Sequence, residues 1–408
     1  MDRISDTIII GGGLNGCAMA LALAGAGLSV TIIDRMAPDT VTDPDFDGRG
    51  YALAHASTRL LAAIGVLGAV LPNAQPILDI KVTDGRAGEG PSPWVLEFNH
   101  AEIEEGPMGH MIEDRHLRIA LFHAMGTAPL ITQINERSVI GQTITDSQAT
   151  VTLDNGTDVR GRVLIGADGM HSQTAVRAGI GRMGWSYGQT GLVCAISHEK
   201  PHHGIAHQFF MPPGPLAILP LTGNRASIVW TETDAKAAQI QALDDAGYLD
   251  VLRPRFGDFL GEITLAGQRF TYPLPLSLAH KFAAPRLALI GDAAHRMHPI
   301  AGQGLNAGLK DVGALAEVLT LAHRRGEDIG RLDVLERYQQ WRRFDTASMA
   351  LATDSVNRLF SNDNSLLRLA RDIGLGAVNA LPGLRRTLIR EAAGLTGDLP
   401  KLLQGKPI

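Results

Sequence analysis

Cysteine is nearly absent from this 408-residue sequence: Cys17 and Cys194 are its only two, with no CxxC and no Cys/His cluster around them. That argues against a disulfide framework or a zinc site, so no residue is assigned to a metal and a reducing compartment fits. Net positive charge is missing too. At a formal −5 the chain has no overall basic field with which to hold nucleic acid. Thr7 to Ile33 carries no charged residue at all, long enough to imitate a membrane span or a signal sequence. Gly11, Gly12, Gly13 and Gly16 break that run near its start, and the residues before it offer Asp2 and Asp6 against a single Arg3. The expectation is a cytoplasmic protein without a cleaved address. No internal repeat or low-complexity linker is present. With 45% hydrophobic and 19% charged residues the chain is an ordinary globular one, long enough for two joined domains.

What is there begins with a complete strand-turn-helix-strand unit over residues 7–34: an apolar β-branched run, a glycine turn, an Ala/Leu-rich helix from Leu14 to Ala26, then Ser29 to Ile33 closing at Asp34. Gly11-Gly12-Gly13-Leu14-Asn15-Gly16 fits GxGxxG, whose glycines permit a tight turn and let a pyrophosphate approach the helix N-terminus. Asp34, followed by Arg35, stands about 20 residues on, where a carboxylate accepts from a ribose diol. Gly179 to Gly184 also fits GxGxxG, but it follows no clear strand and opens no periodic helix, so it reads as a chance match. One such unit rather than two means either NAD alone or FAD with a nicotinamide that visits transiently.

Val163 to Gly169 and Leu287 to Asp292 are further short apolar strands ending in Gly turns with an acid. Strand-like runs fall at 190–199, 205–211, 215–221 and 225–232, with Thr222-Gly223-Asn224 as a hairpin signal. They predict an antiparallel sheet inserted into the nucleotide domain as a substrate cover. From Asn306 onward the pattern is helical, broken near Gly374 to Gly376 and at Pro382.

The richest segment runs from Gly291-Asp292-Ala293-Ala294-His295 through His298-Pro299-Ile300-Ala301-Gly302-Gln303-Gly304-Leu305-Asn306 to Asp311. A carboxylate at a strand end and a glycine-rich turn into a helix would offer ribityl hydroxyls an acceptor and a flavin ring backbone N–H donors. At these residues the chain resembles the class A flavoprotein monooxygenases, and more narrowly the ubiquinone-biosynthesis hydroxylase family, whose GD…HP.AGQG.N.G..D signature is complete here. The resemblance extends through Asp47-Gly48-Arg49, Tyr51-Ala52-Leu53, Asp168-Gly169 with Ser172, and Asn362-Asp363-Asn364.

The resemblance implies an α/β fold: a Rossmann-type FAD-binding domain like that of para-hydroxybenzoate hydroxylase, an inserted antiparallel-sheet substrate domain and a C-terminal helical region. Boundaries are set at 1–74, 113–181 and 281–330 for the first, 75–112 and 182–280 for the second, and 331–408 for the third. It implies that Gly11, Gly13 and Gly16, with Leu14 and Asn15, hold the pyrophosphate and Asp34 the adenosine ribose. Arg49 and Arg115 are expected near the ribityl and phosphate groups, and Asp168 near FAD and the nicotinamide. Gly291 and Asp292 would meet the ribityl chain, and Pro299, Gly302, Gln303, Gly304, Leu305 and Asn306 the isoalloxazine. Ala175 stands where relatives carry Arg, with Arg177 two residues later, which leaves the contact to NAD(P)H unassigned.

The implied reaction is hydroxylation of an aromatic ring with NAD(P)H and O₂ through a C4a-hydroperoxyflavin, on a prenylated phenol of ubiquinone biosynthesis. Two alternatives stay open: a hydroxylase of a soluble aromatic compound, and a non-catalytic flavin-binding scaffold of a biosynthetic complex. A flavin halogenase would carry a WxWxIP-like segment, which is missing. His298 beside Pro299 reads either as the polar group facing the reacting centre or as a turn histidine. His295 reads as packing, and His202, His203 and His207 as solvated. Residues 366–408 carry seven Lys/Arg against three Asp/Glu, interleaved with leucines. That tail reads either as core packing with snorkelling arginines or as a surface for the inner membrane or other ubiquinone-pathway proteins.

Overall fold

The computed structural model describes residues 4–43, 49–88, 90–102, 105–361, 376 and 378–408. Asp47, Gly48, Asn362-Asp363-Asn364 and the tail residues from 366 to 375 lie outside the described residues. The uncharged run from Thr7 lies in the strand Ser5–Ile10, which begins before it and includes Asp6, and continues through the helix Leu14–Gly25 and the strand Val30–Ile33. Its lack of charge follows from burial: Ser5–Ile10 lies inside a parallel sheet and the helix covers it, so neither meets water over most of its length.

Ser5–Ile10 pairs in parallel with Val30–Ile33 on one side and Asp158–Gly166 on the other. Ile131–Ile134 and Leu287–Leu289 extend the two flanks, also in parallel. The carboxyl ends of three of these strands bring Gly11 to Gly13, Ala167 to Gly169 and Gly291 to Asp292 to one edge. That edge is where an open parallel sheet holds its ligands.

A second sheet of nine strands faces it. The runs read from the sequence form Ile205–Met211, Gly214–Leu221 and Arg225–Thr233, with Gly223 at φ +75° in the last hairpin. The strand Arg182–His198 is longer than the run at 190–199 and shifts register between Ser186 and Thr190. Gly179 to Gly184 leads into this strand, not a helix. Gly184 sits where a Cβ would lie 2.1 Å from the Leu276 carbonyl oxygen, so its glycine serves strand pairing.

The expectation of a purely antiparallel sheet needs one correction. Asp79–Arg86 pairs in parallel with Ile205–Met211, because it arrives by a crossover from the other body and not through a hairpin. Gly90–Asn99 then closes that edge, while Gly109–Glu113 pairs with Gly50–Ala54 on one side and Gln75–Ile77 on the other in a separate three-stranded sheet. One face of the large sheet buries Trp230, Phe209 and Leu216 against Tyr248 and Leu252 of the helix Asp245–Phe256. Its other face looks back at the parallel sheet.

The helix Gln303–Arg324 is buried along almost its whole length, Leu332–Phe360 packs across it, and Pro382 opens a last helix, Pro382–Ala392. Among the described residues no single helix is long and apolar enough to cross a membrane.

Candidate active site

A cavity of about 540 Å³ lies between the edge of the parallel sheet and the inner face of the large one. At its first end two helices begin, Leu14–Gly25 behind Gly13 and Gln303–Arg324 behind Gly302, and no side chain caps either. Their first-turn N–H groups are therefore open to a ligand's oxygens, with the positive end of each helix dipole behind them. A Cβ added at Gly13 or Gly304 would meet nothing within 4 Å, so the backbone is bare on this side. Gly302 adopts φ +63°, which turns the chain into the helix.

Other glycines here are fixed by contact. A Cβ at Gly16 would come within 1.9 Å of the Gly11 carbonyl oxygen, and one at Gly11 within 2.4 Å of that of Ala167. Gly291 and Gly308 make room for Asn15, whose amide nitrogen would lie 2.4 and 2.3 Å from their added Cβ atoms. The Asn15 Oδ1 is buried and accepts no hydrogen bond from the described residues.

Leu14, Asn15, Arg49, Asp292, Pro299, Gln303 and Leu305 border the cavity with Gly13, Gly302 and Gly304. Asn306 borders it as well, but its side chain ties the helix to the neighbouring strand. Its Oδ1 accepts from Ala54 N–H at 2.9 Å and from Ser57 Oγ at 2.7 Å, and its Nδ2 donates to the carbonyls of Ala52 at 2.9 Å and Gly302 at 3.1 Å.

Gly11, Gly16, Asp34, Arg35, Arg115, Asp168 and Gly291 lie outside the cavity lining. Asp34 already accepts from the Gly12 N–H and from Met36 N–H at 2.7 Å, which holds the glycine turn against its strand; Arg35 is exposed. The Asp168 carboxylate accepts from Ser172 Oγ and from Thr174 N–H at 3.0 Å, so it shapes its own loop. Arg115 pairs with Glu113 at 3.5 Å, while Arg118, one helical turn on, borders the cavity. Arg115 and Arg118, three residues apart on the helix Asp114–Thr127, are neighbours on its surface, so helical spacing could have raised Arg118 alongside Arg115.

Beneath the loop Gly291 to Gly302 lies a buried polar network. Asp311 accepts from Gly291 N–H at 3.0 Å, meets His295 Nε2 at 2.6 Å and accepts from Arg342 Nε at 2.8 Å. Burial alone would raise the Asp311 carboxyl, yet His295 and Arg342 hold it below the usual carboxylate range. The closing Asp of the signature thus anchors its opening Gly. Arg182 holds the same loop from the large sheet, donating to the carbonyls of Asp292 at 3.0 Å and of Ala293, and to Ser277 Oγ at 2.8 Å.

His298 does not face the cavity. Met297 and Pro299 on either side border it, whereas the His298 ring is 1% exposed and lies edge-on to Tyr187, 5.5 Å between centroids. Among the described residues neither of its nitrogens finds a partner, and burial pushes the imidazole down to about 4. The alternation of the chain at 297–299 turns it into the protein. Of the two catalytic candidates Pro299 borders the cavity and His298 does not. His207 is half-buried and borders the cavity: its ring lies 4.5 Å from that of Phe259, and burial pushes it down to about 4. His295 packs, as its place on Asp311 requires.

At the second end the wall is the large sheet's inner face: Ile80, Val82, Phe210, Ala217, Leu219 and Val229, with Phe98 and Met108 beside them and Ala392 of the last helix. Arg49 stands where the two ends meet, over the rings of Tyr51 at 5.7 Å and Tyr272 at 5.1 Å. One end can hold a dinucleotide's oxygens and a flat ring by backbone; the other can hold an apolar molecule.

A family profile described as FAD binding domain matches residues 5–350. Ubiquinone hydroxylase UbiL of Rhodospirillum rubrum is 43% identical over 410 residues, covering 100% of this chain and 94% of that protein. The 3-demethoxyubiquinol 3-hydroxylase of Escherichia coli is 35% identical over 96% of this chain and 99% of its own. Among solved structures, p-nitrophenol 4-monooxygenase PnpA from Pseudomonas putida DLL-E4 has a TM-score of 0.80 over 97% of this chain and 99% of that one, at 19% identity, a likeness of fold. Fold and family are those of a class A FAD-dependent monooxygenase. Within that class the chain belongs to the ubiquinone-biosynthesis hydroxylase family, with FAD as its cofactor and NAD(P)H as co-substrate.

Proposed function

We infer that this chain hydroxylates the ring of a prenylated phenol in ubiquinone biosynthesis. The observation that carries the reading is the cavity's division into a backbone-lined end and an apolar sheet wall. FAD would lie with its pyrophosphate over Gly11 to Gly16, its ribose at Asp34, its ribityl chain at Asp292 and Arg49, and its ring along Pro299 and Gly302 to Asn306. When bound, the flavin supplies electron transfer from NAD(P)H and the activation of O₂. The protein's part is to bind and to exclude water. Helix N-termini stabilise negative charge at the ring's edge, and the sheet wall keeps water from the reacting face. The same reading divides the chain into a flavin-binding part (1–74, 113–181, 281–330), a sheet part (75–112, 182–280) and a helical part (331–408).

Deleting the gene in its own host and identifying the accumulated quinone precursor by mass spectrometry tests the assignment; normal ubiquinone with no intermediate would sink it. A soluble aromatic substrate is the rival, separated by whether prenylated or unprenylated phenols couple NAD(P)H oxidation to product.

The last helix supports a second element, contact of the tail with an anionic membrane. Ala392 borders the cavity and Ile389 is buried beside Met108, while Leu381 and Leu384 on the outer side are 55% and 45% exposed next to the exposed Arg386. Sedimentation with anionic but not neutral vesicles, abolished by Leu381→Ser with Leu384→Ser, is the expected outcome. Equal binding by that variant would remove this element.

A further inference from the structure

We propose that Gln208 is the polar anchor for the substrate ring: its carboxamide holds an oxygen substituent of the aromatic ring and so sets which ring edge faces the flavin. This rests on the aromatic-substrate reading above and adds a specificity-determining residue to it.

A pleated strand sends alternate side chains to opposite faces. On Ile205–Met211, the His207 ring lies against Phe259 and Phe209 belongs to the core on the helix-covered side. Ala206, Gln208 and Phe210 alternate with them and border the cavity, which His207 also borders. Register places Gln208 between Val82 and Ala217, and the same row continues through Val229 to Val193. All five border the cavity, and Gln208 is the single polar member of the row.

Its Nε2 has almost no accessible surface and donates to nothing among the described residues, so a turn of the carboxamide toward the cavity is what brings the donor to a ligand. An amide N–H left without an acceptor in an apolar wall is destabilising, and a leucine or methionine would fill the same space without that cost. Ala217 next to it is small, which leaves the carboxamide room on its cavity side. A bound ring bearing a hydroxyl, methoxy or carbonyl oxygen supplies the missing acceptor. The arginines that border the cavity, Arg49, Arg118 and Arg296, come from other elements than this row, so a neutral oxygen and not a carboxylate matches Gln208.

The test uses the FAD-loaded enzyme and reads dissociation constants from the change in flavin absorbance. The ligands are a polyprenyl phenol with its deoxy counterpart, and 2-allylphenol with allylbenzene. The wild type should hold each phenol about tenfold more tightly than its deoxy partner. Gln208→Met, which keeps the length and loses the donor, should bring that ratio close to one without weakening the deoxy ligand. The thermal midpoint of Gln208→Met should not fall, since no protein partner is lost. An unchanged ratio in Gln208→Met, or no ratio in the wild type, overturns the proposal. If only the allyl pair shows the effect, Gln208 keeps its role and the prenylated substrate falls; if neither phenol perturbs the flavin, both readings fall.

Discussion

The two ends of the cavity are built on opposite plans. The flavin end is made of backbone at the carboxyl ends of three parallel strands, with side chains such as Asn306 and Asp311 turned inward to brace the loops. The sheet end is made of side chains, one from each of several strands, on backbone already committed to its ladder. A backbone site tolerates little change in its glycines and braces; a side-chain site can be re-cut residue by residue. Substitutions at the two ends should accordingly separate cofactor retention from substrate selection.

The largest effect is expected from Asp311→Ala, which leaves Arg342 charged and buried without its acceptor and frees the Gly291 N–H. Denaturant unfolding should show a loss of about 3–5 kcal/mol, with FAD lost on gel filtration. Next comes Ala217→Leu at the other end. It should raise the substrate KM about tenfold or more while FAD stays bound, and cofactor loss there would break the contrast.

Arg182 sharpens the comparison because it starts on the large sheet and grips the Asp292 turn. Arg182→Met should weaken FAD about tenfold in a fluorescence titration while the substrate constant of the reloaded enzyme holds.

The smallest effect on turnover belongs to His298→Leu, about twofold or less at neutral pH, because the ring does not border the cavity. Its signature lies in stability. The buried imidazole has moved from 6.5 down to about 4, so between those values the unfolded chain takes up a proton the native one refuses. Native stability therefore falls as pH drops through that window, and the leucine variant should flatten this part of the slope in unfolding midpoints.

The same contrast governs what could be read from sequence. The flavin end is contiguous: Gly11 to Gly16 and Gly291 to Asp311 each lie in one stretch, so glycine spacing announced the turns and Asp292. Braces were not announced, since Asn306 reaching Ala52 and Ala54, or Arg342 reaching Asp311, joins residues far apart in the chain. The sheet end has no contiguous signal at all. Gln208 is one polar residue in the run from Ile205 to Met211 until register with Val82 and Ala217 gives it a place. Side-chain direction leaves His298 out of the cavity lining, and periodicity within an irregular loop could not supply that direction.

The strand Asp79–Arg86 has a consequence for how the molecule comes to exist. It leaves the first body, joins the second in parallel beside Ile205–Met211, and the chain then returns. Ser5–Ile10 meanwhile waits for Asp158–Gly166 before its second side is paired. No fragment ending before Gly166 can complete the parallel sheet, and none ending before Met211 can seat the crossing strand. Closing such distant contacts costs chain entropy before it is repaid, a mark of slow-forming topologies. On the ribosome, the first glycine turn is made early and acquires its opposite wall only after most of the protein has emerged.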